Sequence, residues 1–137
     1  MVIKIRTAVK TARPGTLVSA AVVPDAQTAF ASRMQDWHGW LDQSLLDVVC
    51  PMAYTADSEI FQKQIAATIS HAGSRPVWAG IGAYQMPSSQ TLTHIAAAQK
   101  LGAAGIILFS YEAMAAPPNS ASSVSELGRA AFGTSPE

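Results

Sequence analysis

The stretch DVVCPMAYTAD, residues 47–57, decides how the chain is read. It passes from a carboxylate through β-branched and sulfur-bearing residues into Pro51, and ends on Tyr54 with small polar residues and Asp57 behind it. A continuous apolar run bounded by turn residues suits a strand covered on both faces, as in parallel sheets. Covering such a strand does not call for an aromatic hydroxyl at its end, so Tyr54 is the first residue that needs a role. Asp57, just before Ser58, suits a helix start, where a carboxylate accepts from the unpaired N–H groups of the first turn.

The same cycle extends in both directions. Upstream, Val2, Ile3, Ile5 and Val9 are spaced for a short helix that Pro14 and Gly15 stop, and TLVSAAVVP (16–24) reads as a strand. Asp25 then caps AQTAFASRMQDWHGWLDQSL (26–45), read as one helix with Phe30, Met34, Trp37 and Leu41 at helical spacing. LDVVCPMAY (46–54) is the second strand. Downstream, EIFQKQIAATISHA (59–72) is a helix capped by Asp57 and Ser58 and closed by Gly73, and RPVWAGIGAY (75–84) is the third strand. SSQTLTHIAAAQKL (88–101) follows as a helix capped by Ser88 or Ser89 and ended by Gly102. AAGIILFSYE (103–112) is the fourth strand, AAPPNSASS (115–123) a loop, and VSELGRAAF (124–132) a short helix before a polar tail at 133–137.

A helix followed by four βα units, with each strand nearly all apolar, implies an α/β fold with a parallel sheet. Two architectures fit that order: a small doubly wound sheet, or half of an eight-stranded TIM-type (β/α) barrel. The 137 residues suit a single domain. Lys+Arg equals Asp+Glu, so no surplus of positive charge exists to neutralise a phosphate backbone, and nucleic acid is not an expected partner. Only 13% of residues are charged and 49% are hydrophobic, which leads one to expect that part of the surface is covered. Cys50 is the single cysteine and reads as a small buried hydrophobe. The N-terminus lacks the apolar core of a signal peptide, and no apolar run is long enough for a membrane span.

No cofactor or metal is expected. No glycine-rich phosphate loop opens a helix, and His38, His71 and His94 share no metal-ligand spacing. Ser110 lacks the elbow of a serine hydrolase, and Gly80 and Gly82 read as sites of close packing. What remains is a repeated placement: Tyr54, Tyr84 and Tyr111 each follow an apolar strand, with Asp57 and Glu112 close behind. Aromatic faces stack on sugar rings while hydroxyls and carboxylates bond to sugar hydroxyls, so such a rim suits carbohydrate better than phosphate.

RMQDWHGWLDQSLLDVVCPMAYTAD (33–57), RPVWAGIGAY and LGAAGIILFSYE (101–112), in that order, resemble the C-terminal half of the glycosyl-hydrolase-like family 10 domain. The resemblance runs from Ala8 to Phe132 and covers the later strands of that family's barrel. It implies a (β/α) barrel of bacterial envelope or secreted proteins that act on or bind glycans, peptidoglycan among them. The family's first four strands, one ending in an Asp-rich motif, have no counterpart here, so the chain resembles a fragment whose isolated form is expected to be inactive. Under this resemblance Glu112 is the candidate catalytic carboxyl, as general acid, base or nucleophile, and Tyr54, Tyr84, Tyr111, Asp57 and Met52 are candidate substrate contacts.

Plainer roles stand beside these. Tyr54 can simply close the top of a barrel, Glu112 can cap the next segment or hold an arginine, and Asp57, like Asp25, can be only a helix cap. Asp36 and Asp42, flanking Trp37 and Trp40, read as structural. The rival class is a non-catalytic glycan-binding or self-associating module, with a homodimer formed through open sheet edges.

Overall fold

The computed structural model describes residues 1–115 and 121–133. The order is α1 (Val2–Ala12), β1 (Ser19–Val22), α2 (Ala26–Arg33), α3 (Trp37–Asp42), β2 (Val48–Ala53), α4 (Ser58–Ala72), β3 (Trp78–Ile81), a 3-10 turn (Ala83–Gln85), α5 (Ser88–Leu101), β4 (Gly105–Leu108), α6 (Tyr111–Ala115) and α7 (Ala121–Phe132). Of the loop expected at 115–123, residues 116–120 lie outside the described residues, Ala115 ends α6, and α7 begins at Ala121 rather than at 124; residues 134–137 of the expected tail also lie outside.

The four strands form one all-parallel sheet in the order β1-β2-β3-β4. A doubly wound sheet reverses its strand order at a switch point, and this sheet has no reversal. The register fixes which side chains share a face. Ala20 and Val22 lie beside Val49 and Pro51, Ala53 beside Ile81, and Ala79 and Ile81 beside Ile106 and Leu108. That face carries the core. Val22, Val49 and Val77 pack with Ala29, Trp37 and Leu41 from α2 and α3. Ala53, Ala79 and Ile81 pack with Phe61 and Ile65 of α4 and Ile95 and Ala98 of α5. By alternation the opposite face presents Ala21, Val48, Cys50, Met52, Trp78, Gly80 and Ile107, none of which belongs to these clusters. Cys50 is buried there, as a small hydrophobe should be.

Helix α1 is held by charge, since it contributes no buried residue. Asp47, at the foot of β2, gathers Arg6 Nη1 (3.1 Å), Lys10 Nζ (2.8 Å) and the Val18 N–H (2.8 Å) on its two oxygens. Arg6 also donates to the Leu45 carbonyl and Lys10 to that of Thr16. Burial alone pushes the Asp47 carboxyl up, but the bonds from Lys10, Val18 and Arg6 outweigh it and hold the group at about 2.

The segment read as one helix over 26–45 is two. Met34 takes a left-handed conformation (φ 54°), the Gln35 side chain leaves the helix to accept from the Val23 N–H at 3.0 Å, and Asp36 caps α3 by accepting from the Gly39 N–H at 3.1 Å. The break rotates the two apolar pairs apart: Phe30 and Met34 are 65% and 91% exposed, whereas Trp37 and Leu41 are each 1% exposed. Trp37 anchors the second piece by donating from Nε1 to the Val23 carbonyl. At α5 the cap is Pro87, with no side-chain capping bond, rather than Ser88 or Ser89. Asp25 and Asp57 cap α2 and α4 as read. No helix among the described residues is long and apolar enough to cross a membrane.

Two predictions follow from this packing. A Cβ on Gly80 would lie 2.7 Å from the Pro51 carbonyl oxygen, which is fixed backbone, so Gly80→Ala is expected to destabilise by about 1–3 kcal/mol in urea unfolding. Stability should also fall with acid in two stages. His94 is buried and held neutral, below its ordinary 6.5, so its contribution is complete above that value and declines as pH drops beneath it. The Asp47 contribution is complete above 3.8 and is lost as pH falls through about 2. Melting curves of Asp47→Asn and His94→Gln against the parent should remove the lower stage and reduce the upper one respectively, His38 supplying the remainder.

Candidate functional site

Ala53, Ile81 and Leu108 are the last residues of β2, β3 and β4 and lie side by side in the register. The residues just beyond them are Tyr54, Gly82 and Phe109, and the Phe109 N–H still donates to the Ile81 carbonyl at 2.9 Å, so the chain leaves the sheet in step. Three rings meet at this rim. Tyr54 and Phe109 stack with centroids 5.3 Å apart and planes 14° from parallel, and Tyr84, from the 3-10 turn after β3, stands edge-on to both at 6.4 and 6.2 Å. Both are favoured aromatic geometries.

Gly82 makes room for this arrangement. A Cβ there would fall 3.0 Å from Tyr54 Cβ and 3.2 Å from its Cγ, tighter than an unstrained contact. The backbone of β3 can therefore approach the Tyr54 side chain closely. Burial, with Tyr84 as a lesser cause, raises the Tyr54 phenol above its ordinary 10. Tyr84 and Phe109 are about half exposed, at 47% and 49%, and the Tyr84 hydroxyl accepts from Gln85 Nε2 at 2.7 Å. The rim thus offers apolar ring surface to solvent next to phenolic hydroxyls.

The other residues singled out from sequence take different places. Tyr111 and Glu112 do not end a strand: they open α6, where both are exposed, and Tyr111 is outside the ring cluster. The reason is that β4 stops at Leu108, leaving residues 109–110 as a connection before the helix. Asp57 accepts from the Glu59 and Ile60 N–H groups at 2.8 and 2.9 Å on one oxygen, which is cap geometry. Met52 is half-buried beside Gly80 on the sheet face away from the helix core. Among the described residues, no three metal-capable side chains converge.

Two features were not read from sequence. The apolar run 103–112 places Phe109 inside a longer fourth strand, and its equivalence to Tyr54 depends on the register of β2, β3 and β4. Ser58 and His94 were seen only as a helix start and a helix residue, yet Ser58 Oγ and His94 Nε2 lie 3.1 Å apart, joining α4 to α5. His94 stacks on Phe61 with centroids 4.3 Å apart, and its Nδ1 is buried without a partner. Among the described residues no acid bonds to His94 Nδ1, and the Glu59 and Ile60 N–H groups are taken by Asp57, so the hydroxyl–imidazole pair serves as a tie between the two helices. Gln90 reinforces the tie by donating to the Ala56 carbonyl.

The chain matches no protein-family model, no curated protein and no solved structure. The ring cluster is open to direct test. In an alkaline titration, the Tyr54 phenol should titrate above 10, and Phe109→Ala, which uncovers it, should bring that titration back toward 10.

Proposed function

We propose that this chain supplies half of a (β/α)8 barrel of the glycosyl-hydrolase-like family 10 kind, and that its carboxyl-end rim is the aromatic wall of a glycan-binding site. One observation carries the reading: Tyr54, Tyr84 and Phe109 cluster at the carboxyl ends of three adjacent parallel strands. In barrels of parallel strands that is the face where ligands are held. The unreversed strand order favours the barrel, because each new strand extends the sheet on the same side. Ring faces contact the C–H surfaces of a sugar, and the hydroxyls of Tyr54 and Tyr84 bond to its hydroxyl groups. A bacterial polysaccharide such as peptidoglycan is the substrate class implied by the family resemblance.

Glu112, three residues past Phe109 in the first turn of α6, is the carboxyl proposed to act at the glycosidic bond. Cleavage needs a proton donor at the glycosidic oxygen and a second carboxylate about 5–10 Å away. Asp57 is committed to its helix cap, so in this proposal the second carboxylate comes from strands beyond these four. The test uses a barrel completed by four further βα units, with glycan binding and reducing-end release measured together. Glu112→Gln should lower release by about 10²–10⁴-fold while binding persists, and Tyr54→Phe should weaken binding. Equal loss of binding and release in Glu112→Gln would make the residue a ligand contact, and no change in either would remove it from the site.

A second reading, a self-associating module, is favoured by the partly uncovered sheet face and by the two edge strands, β1 and β4. Ile107 on that face is 37% exposed, and Leu17, just before β1, is 60% exposed. Unpaired edge strands with nearby apolar surface tend to pair with other chains. Light scattering over a concentration series tests it: a discrete dimer supports this reading, and a monomer at high concentration counts against it.

A further inference from the structure

A groove lies on the helix side of the sheet, away from the aromatic rim. It has a volume of about 620 Å³ and runs between the start of α2, α3 and α4. Within its lining, two imidazoles from residues 33 positions apart lie face to face: His38 of α3 and His71 of α4 have centroids 3.5 Å apart and planes 10° from parallel. Trp37, 1% exposed, packs perpendicular to both, at 4.1 Å from His38 and 5.7 Å from His71. No role assigned above uses this cluster.

Its protonation chemistry is constrained by what surrounds it. His71 Nε2 is buried and has no hydrogen-bond partner, and the nearest carboxylate oxygen, Asp42 Oδ1, is 3.6 Å away, just beyond bonding reach. A proton on that nitrogen gives it a charged partner one small movement away. His38 has a different environment. Burial lowers its proton affinity most, His71 adds to this, and the opposing pull of Asp42 and Asp36 does not compensate. The remaining charged groups of the groove are Lys63 on α4 and Asp25 at the α2 cap, one of each sign. Two neutral imidazoles stack as any aromatic pair does. Two imidazolium rings at this separation repel strongly, since little water lies between them to screen the charges.

We propose that the His38–His71 stack is a proton-operated latch between α3 and α4: one proton shared by the pair leaves the rings stacked beside Asp42, and a second forces them apart. Parting the rings removes the cover from Trp37 and widens the groove that both histidines line. The latch is closed at neutral pH and open in mild acid. The two protonations are coupled, so the midpoints belong to the pair rather than to either ring.

Trp37 reports the event if Trp40 and Trp78 are replaced by phenylalanine. Between about pH 7.5 and 5, the range in which histidine titrates, Trp37 emission should change in two steps while far-ultraviolet circular dichroism stays constant. His38→Phe keeps an aromatic stack but cannot take the second proton, so it should abolish the second step and leave the first. Asp42→Asn should displace the first step to lower pH. The proposal is overturned by flat Trp37 emission, by a His38→Phe curve that follows the parent, or by loss of circular dichroism in step with emission, which would assign the change to unfolding through His94. Should the tryptophan-depleted chain not fold, histidine ring resonances of the unaltered chain give the same answer. Mutually displaced titrations of His38 and His71 support the latch, and two independent single-site curves sink it.

Discussion

Each strand of this protein is added to the same side of the one before it, with a helical crossover in between. Parallel crossovers are right-handed, and when the strand order never reverses, that handedness delivers every crossover to the same face of the sheet. The rest of the architecture descends from this constraint. One face of the sheet takes α2 to α5 and the two larger core clusters, while the other, where Val48 and Cys50 are also buried, stays partly open. The carboxyl ends of the strands also finish together, which is what allows Tyr54, Tyr84 and Phe109 to meet although they are spread over more than fifty positions in the chain.

Two kinds of force hold the pieces. The strands and α4 and α5 are held by apolar burial, with Phe61, Ile65, Ile81 and Ile95 at or below 1% exposure. Helix α1 buries nothing fully and is held instead by Asp47, a carboxylate that also fixes the residue just before β1 through the Val18 N–H. The helix layer contains its own polar ties, Ser58 to His94 between α4 and α5 and the stacked histidines between α3 and α4. The rim is stable in a third way. Its rings support one another at the ends of strands whose hydrogen bonding continues as far as Phe109, and glycine at position 82 lets the backbone come close to Tyr54.

Much of this was legible in the residues. The alternation of four strands with helices and the caps at Asp25 and Asp57 follow from apolar runs, helical spacing and local side-chain chemistry, and the structure has them, while the 3-10 turn and α6 were not expected. The single helix expected over 26–45 failed for a specific reason. Phe30, Met34, Trp37 and Leu41 have helical spacing, but Gln35 and Asp36 offer the backbone alternative hydrogen bonds, and the Gln35 bond to Val23 exists only once β1 and α2 are in place. The strands containing Gly80 and Phe109 were read too long, because apolar composition continues past the point where pairing stops. Of the candidate site residues, Tyr54 and Tyr84 come together, Tyr111 and Glu112 shift onto α6, and Phe109 enters the cluster without having been singled out.

What the sequence determined by itself is mostly local: which stretches extend, which coil, the helix caps at Asp25 and Asp57, and that the strands run parallel. These properties depend on neighbours within a few positions, or on the period at which apolar residues recur. The tertiary structure alone decided the register that aligns Tyr54 with Phe109, the approach of Arg6 and Lys10 to Asp47, the pairing of Ser58 with His94 and the stacking of His38 on His71. Each of these joins residues far apart in the chain, and such contacts form only when the packed sheet and helices bring them within a few ångströms, a distance that no local pattern encodes.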